Sequence, residues 1–192
     1  MKKATMIWIG VGIVVLILVL WVIGGYNRFV TMDQNIQGKW SEVESQYQRQ
    51  SDLIYNQLIP TVSSSVKVET QFVKDVISAR TAYVGATTQL QKDTAGQQMN
   101  AGVTALVNAV AENYPTLQAS THYTQLIDEL AGTQNRITTA RGRYIEGIQG
   151  YNTAIKRFPG NILAGVFGFS GKEYYQSQSG TDTPSLGTGV LP

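Results

Sequence analysis

Apolar residues are arranged along this chain in two ways. From Met6 to Gly25 they form the uncharged run MIWIGVGIVVLILVLWVIGG, and beyond it they recur every three or four positions among polar residues. The first pattern is twenty residues long. At about 1.5 Å per residue, a helix of that length spans roughly 30 Å of hydrocarbon. Trp8 and Trp21 stand near its ends, where amphipathic indoles favour the headgroup region. The pattern predicts a transmembrane helix, with residues 1–25 as a membrane anchor.

The second pattern predicts four amphipathic helices. Ile36, Trp40, Val43, Tyr47 and Ile54 share one face of the first, which ends or kinks around Pro60 to Ser65. Phe72, Val76, Ala79, Tyr83, Ala86 and Leu90 line the second, with Glu69 in its first turn. Lys92 to Gln97, containing Asp93, Thr94 and Gly96, reads as a connector. A shorter third helix carries Val103, Leu106, Val110 and Tyr114 and stops at Pro115. A brief loop follows, with Leu117 tucked inward and Ser120 or Thr121 as the next cap.

The fourth helix, about Thr121 to Phe158, has the most regular seam: Tyr123, Leu126, Leu130, Thr133, Ile137, Ala140, Tyr144, Gly147, Tyr151, Ile155 and Phe158. Ala140 and Gly147 allow a partner helix to approach closely, and Pro159-Gly160 ends the element. Four stripes joined by short connections bury one another most simply as an antiparallel bundle. The expected fold is therefore all-α, an N-terminal transmembrane helix followed by an antiparallel four-helix bundle over residues 26–175. Residues 176–192, rich in Gly, Ser, Thr and Pro, read as a disordered tail.

Flanking charge sets the expected topology. Lys2 and Lys3 precede the span, and only Arg28 and Lys39 follow it closely, so the positive-inside rule predicts a cytoplasmic N-terminus and an extracytoplasmic domain in a single-pass cell-membrane protein. A cleaved signal peptide is the rival reading. Its apolar region is typically shorter than this run, and Val22-Ile23-Gly24-Gly25 lacks the small-residue pattern that cleavage requires. With no cysteine in the chain, neither a lipidated cysteine, a disulfide nor a thiolate metal site is available. Without Lys2 and Lys3, thirteen cations face thirteen acids, which argues against a nucleic-acid partner.

Little catalytic chemistry is legible. His122 is the only histidine and reads as an ordinary helix-start residue, so no metal or cofactor is expected. Gly168-Phe169-Ser170-Gly171 fails the spacing of a nucleophile elbow, and no phosphate loop or dinucleotide fingerprint occurs. Glu42 and Glu44 face apart on a helix, and they read, like Asp128 and Glu129, as solvated residues. Arg141 and Arg143 flank the seam of the fourth helix; pairing with acids of a neighbouring helix is expected over an anion site.

Several segments together resemble the LemA family: Tyr26-Asn27 directly after the span, Trp40, Asp52-Leu53-Ile54, Ala79-Arg80, Tyr114-Pro115-Thr116-Leu117, Thr139-Ala140-Arg141-x-Arg143-Tyr144, Tyr151-Asn152, and Arg157-Phe158-Pro159-Gly160-Asn161-Ile162-Leu163-Ala164 through Lys172-Glu173-Tyr174-Tyr175. The resemblance covers nearly the whole chain except the tail. It implies a membrane-anchored prokaryotic protein with an external helical bundle, in a family that includes relatives tied to membrane remodelling in magnetosome-forming bacteria. Two positions depart from the family pattern. Tyr55-Asn56-Gln57-Leu58 replaces the usual proline and Asn-Leu after Asp-Leu-Ile, and Gly25 stands where many relatives place a cysteine.

The function expected on these grounds is a non-enzymatic, membrane-tethered scaffold or interaction module that organises membrane by self-assembly. Its partners would be the lipid bilayer and either further copies or other membrane proteins. The alternative is an extracytoplasmic binding or sensing domain for a small ligand, which needs a concave pocket with convergent polar groups. Asn161 to Phe169, NILAGVFGF, is too apolar for an idle loop and too short to span. Helix counting returns it to the bilayer. Leu163, Val166, Phe167, Phe169 and Lys172 are therefore the candidate membrane or partner contacts, unless the segment only closes the end of the bundle.

Overall fold

The computed structural model describes residues 2–65 and 70–173. Glu69, the side chain of Phe72, Tyr174-Tyr175 and the expected tail 176–192 lie outside the described residues. All regular structure among the described residues is helical, in the order α1 (Lys2–Leu53), a π-helical turn (Ile54–Leu58), α2 (Ile59–Ser65), α3 (Thr70–Gly85), α4 (Gln89–Asn113), α5 (Pro115–Gln118), α6 (Thr121–Lys156) and α7 (Gly160–Phe167). Two compact units arise. One contains the chain up to Lys39 together with the chain from Gly142 through α7; the other is built on Trp40–Arg141.

α1 carries the apolar run without interruption, and every residue from Met6 to Leu20 is exposed. Its length and composition are sufficient to cross a membrane. Helix geometry persists past Pro60 itself and runs to Ser65, the far end of the stretch in which the sequence pattern places the stop or kink. A proline has no N–H for the carbonyl four residues back and its ring crowds that group. Here the preceding turn widens, with the Ile59 N–H donating to the Ile54 carbonyl, and α2 continues to Ser65.

The Trp40–Arg141 unit has an apolar core of Trp40, Val43, Tyr47, Leu53 and Ile54 from the first long helix with its π turn, Val76, Ala79 and Tyr83 from α3, Met99, Val103, Leu106 and Val110 from α4, and Tyr123, Leu126, Leu130, Ile137 and Ala140 from α6. These are largely the stripes that spacing predicts. Leu117 is buried as expected, and the Ser120 hydroxyl accepts from the Tyr123 N–H at 3.2 Å, capping α6.

The expected connector from Lys92 to Gln97 is instead helical. The chain turns earlier, at Ala86 to Thr88, and Thr88 opens α4 with a reciprocal capping box. The Thr88 hydroxyl accepts from the Gln91 N–H at 3.2 Å, and the Gln91 side-chain oxygen accepts from the Thr88 N–H at 3.3 Å. Leu90 consequently leaves the α3 stripe and lies 57% exposed in the first turn of α4.

Tertiary contacts explain why Asp93 and Gly96 sit inside a helix. Asp93 is buried, and its carboxylate accepts from the Tyr47 hydroxyl at 3.0 Å, from Arg141 Nη2 at 2.9 Å and from Gln97 Nε2 at 2.9 Å. Arg141 thus makes the inter-helix pairing expected of it. Gly96 is needed because the Tyr47 ring occupies the space its Cβ would fill. Gly102 likewise admits Val76 of α3, whose Cγ2 would lie 3.1 Å from an added Cβ. Glu44 pairs with Lys92, and Glu129 with Arg49 at 2.8 Å, so neither acid is only solvated.

In the other unit, α1 contributes Phe29 and Ile36, and α6 contributes Tyr144, Ile148, Tyr151 and Ile155. The expected seam gains one position and loses one. Ile148 takes the core position beside half-buried Gly147, and Phe158, beyond the end of α6, is 76% exposed. The close approach expected at Gly147 is present, since an added Cβ would lie 3.1 Å from Lys39 Cδ and 3.4 Å from Ile36 Cγ1.

Gly96→Ala tests this packing. Alanine gains about 1 kcal/mol of helix propensity, yet its methyl must displace a buried ring held by Asp93. The expected net outcome is destabilisation within the roughly 1–3 kcal/mol range of overpacking, read as a lower denaturation midpoint. A rise would show that Tyr47 moves freely.

Burial also makes the Trp40–Arg141 unit sensitive to alkali. It pushes Tyr83 up to about 12, aided by the negative charges of Glu44 and Asp52, and pushes Tyr123 up to about 12 by itself; Tyr47 is raised further by burial and by Asp93. The folded state therefore prefers the protonated phenols. Their contribution is fully present below the unfolded value of about 10 and is lost as pH rises through about 12. Denaturation midpoints should fall above pH of about 10. Tyr123→Phe should weaken that fall and leave neutral-pH stability equal or higher, because the buried Tyr123 hydroxyl has no hydrogen-bond partner among the described residues.

Candidate membrane-proximal site

The residues that follow the apolar run build the most distinctive local structure in the first unit. Gly25, Tyr26, Phe29 and Asp33 recur at intervals of one, three and four along α1, so they share a broad helical face. α7 and the segment behind it pack on that face. Leu163 is buried and approaches Gly25, where an added Cβ would collide with its Cδ1. Phe29 and the Ala154 carbonyl similarly crowd Gly160.

Three aromatic contacts fasten the segment. The Phe167 ring meets Tyr26 edge-on at 5.1 Å between centroids, and Phe169 lies 5.6 Å from Tyr26 and 5.3 Å from Phe29. The turn that brings both phenylalanines to one tyrosine depends on Gly168. Its φ of +74° lies in the left-handed region that favours glycine, and the Phe169 N–H then donates to the Ala164 carbonyl at 2.9 Å.

Polar groups complete the attachment. The Asn152 amide, buried on α6, donates to the Lys172 carbonyl at 2.7 Å and accepts from the Lys172 N–H at 2.8 Å. One side chain thereby satisfies both backbone groups of a residue outside any helix. The Lys172 ammonium pairs with Asp33 at 2.5 Å and stands 5.7 Å from the centre of the Tyr151 ring. Burial and the nearby Asp33 charge raise the Tyr151 phenol above its ordinary value.

Of the five contacts anticipated from sequence, Leu163, Phe167, Phe169 and Lys172 come together on α1. Leu163 is buried, Phe169 and Lys172 are half-buried, and Phe167 keeps 43% exposure. Val166 points away and is 73% exposed. Asn152, Asp33 and Phe29 were not anticipated as parts of this site. Asn152 carries a signal only as part of the Tyr151-Asn152 pair in the family resemblance, which does not reveal its partner; Phe29, three residues after Tyr26, is findable by helical spacing.

A separate surface groove of about 540 Å³ lies in the Trp40–Arg141 unit, lined by polar residues including Ser45, Gln48, Arg49, Asp52, Asn56 and Glu129. It is open, and its polar groups engage one another: Arg49 pairs with Glu129, and the Gln48 amide donates to Asp52 at 3.2 Å. Enclosed apolar walls of the kind that bury a small ligand are missing from its lining.

Comparison with known proteins agrees with the residue pattern. The model of the LemA family matches residues 39–186. The magnetosome proteins MamQ 2 and MamQ 1 of Paramagnetospirillum magneticum are each 31% identical over 186 residues, covering 84% of this chain and 68% of theirs. The magnetosome protein MamQ of Magnetospirillum gryphiswaldense is 27% identical over 185 residues, with the same coverage.

Asn152→Ala removes both hydrogen bonds to Lys172 while leaving α6 intact. Loss of two such bonds is expected to cost about 1–3 kcal/mol, and amide exchange at Lys172 should accelerate relative to the α6 core. Unchanged exchange at Lys172 would mean that the aromatic contacts alone hold the segment.

Proposed function

The chain belongs to the LemA family, and from that premise we propose that it is a membrane-anchored helical scaffold. Its domain, an antiparallel four-helix bundle in this reading, stands outside the cytoplasm. It organises the membrane through contacts with further copies or with other membrane proteins, and uses no cofactor and no catalytic residues.

One observation carries the reading. A single helix takes exposed apolar residues from Met6 onward directly into a domain whose seams are filled by Tyr, Leu, Ile and Val side chains. A filled interior serves shape and attachment better than ligand capture. The relatives named as magnetosome proteins support an assignment to membranes, and the open polar groove gives the small-ligand alternative little support. Lys2 and Lys3 before the run support an external domain.

Intact-mass measurement of the protein extracted from its own membrane should show that residues 2–25 are retained. A mature start near Gly25 would remove the anchor. Protease added outside intact protoplasts should digest the domain; full protection would reverse the topology.

A further inference from the structure

We propose that α7 is a second membrane contact, an interfacial helix lying in the headgroup region of the same bilayer that α1 crosses. The inference rests on the anchor proposed above and follows from the height at which α7 is held. Leu163 meets Gly25, the last residue of the apolar run, and Phe167 and Phe169 meet Tyr26, the next residue. At about 1.5 Å of rise per residue, a contact with residue 25 or 26 lies within one turn of the level where the hydrocarbon ends.

At that level α7 divides into two faces. Leu163 and Ala164 are buried on the inner one. Ile162 and Val166, four residues apart and therefore stacked on one side, remain open, with Ile162 51% exposed; Phe158, just before the helix, is exposed as well. The eight residues GNILAGVF carry no charge and are too few to cross a bilayer, so a membrane position for them is parallel to its surface.

Charge favours the same occupant. Lys156 and Arg157 are exposed at the entry to α7, and Arg28 is exposed three residues after the apolar run. Asp33 is engaged by Lys172, leaving Glu173 as the exposed acid of the segment behind α7. Cations around an apolar face suit the interface of a bilayer containing anionic phospholipid. Continuity with the spanning helix selects lipid over a second copy of the chain, because α1 already brings the bilayer to this face.

Because the chain has no native cysteine, single labels report each position cleanly. Full-length Val166→Cys and Ile162→Cys, each carrying a nitroxide, are reconstituted in vesicles of phosphatidylcholine and phosphatidylglycerol. Val15→Cys serves as the label in the span, and Thr138→Cys as an exposed position on α6. The expected result is that positions 162 and 166 relax more with oxygen than with a chelated nickel reagent, at a depth of about 5–10 Å into the headgroup and acyl boundary. Thr138→Cys should show the reverse preference, and Val15→Cys should read as deep hydrocarbon.

Aqueous behaviour at both 162 and 166, with Val15→Cys deep, overturns the interfacial contact and leaves the anchor standing. Shielding of 162 and 166 from both reagents, with spin–spin broadening that vanishes on mixing with unlabelled chain, assigns the face to a second copy and also overturns it. Aqueous behaviour at Val15→Cys defeats the anchor itself.

Discussion

Burial of the Asp93 carboxylate governs the Trp40–Arg141 unit. An ionised carboxylate removed from water is tolerated only when paired and hydrogen-bonded. Here the partners come from three directions: Tyr47 from the first helix, Arg141 from α6 and Gln97 from the next turn of α4. Breaking such a buried pair typically costs about 3–5 kcal/mol, a large share of the roughly 5–15 kcal/mol that holds a domain folded. The pairing ties the register of the first helix and α6 to that of α4. A slide of one turn along any of the three helices would strand a charge, while the apolar stripes would still find apolar partners.

The remaining packing of that unit fits around this constraint. Gly96, one turn after Asp93, gives up side-chain volume so that the Tyr47 ring can reach the carboxylate. The Tyr83 ring lies 5.7 Å from Tyr47, and its hydroxyl donates to the Glu44 carbonyl at 3.2 Å. A mostly aliphatic and aromatic core thus contains one charged centre with a demanding geometry. This suits a protein whose proposed task is to hold shape.

In the first unit the equivalent constraint is the attachment of a short apolar segment to the exit of a long apolar helix. Three aromatic contacts, the two-way Asn152 clamp and the Asp33–Lys172 pair hold residues 160–172 to α1 and α6. An eight-residue helix has little stability of its own. Its position is imposed by these neighbours, which leave one apolar side covered and the other open where the proposed bilayer surface lies.

Taken alone, the sequence determined what depends on short-range pattern. The charge-free run defined the anchor helix, and steps of three and four identified Ile36 to Tyr47, Val76 to Tyr83, Val103 to Val110 and most of the α6 seam as buried. The cap at Ser120 and the inward Leu117 also belong to this local class. That residues 161–169 form a packed element was legible in their apolar composition; that Leu163, Phe167, Phe169 and Lys172 meet α1 of the same chain, with Val166 left outside, was not. Tertiary structure alone decided the rest. Asp93 and Gly96 read locally as parts of a connector because an acid and a glycine weaken an isolated helix, and Arg141 and the Tyr47 ring make them favourable there. Pro60 marks the region where the helix ends, but the widened turn before it, which carries the helix on to Ser65, has no signal in the pattern. Ile148 is buried beside Gly147, because helical spacing leaves neighbouring positions nearly equivalent until a partner surface selects among them, and Phe158 turns outward because α6 ends at Lys156, before it. The departures at Asp93 and Gly96 arise because their preference is set by Arg141 and Tyr47, groups far away in sequence that no local pattern can encode.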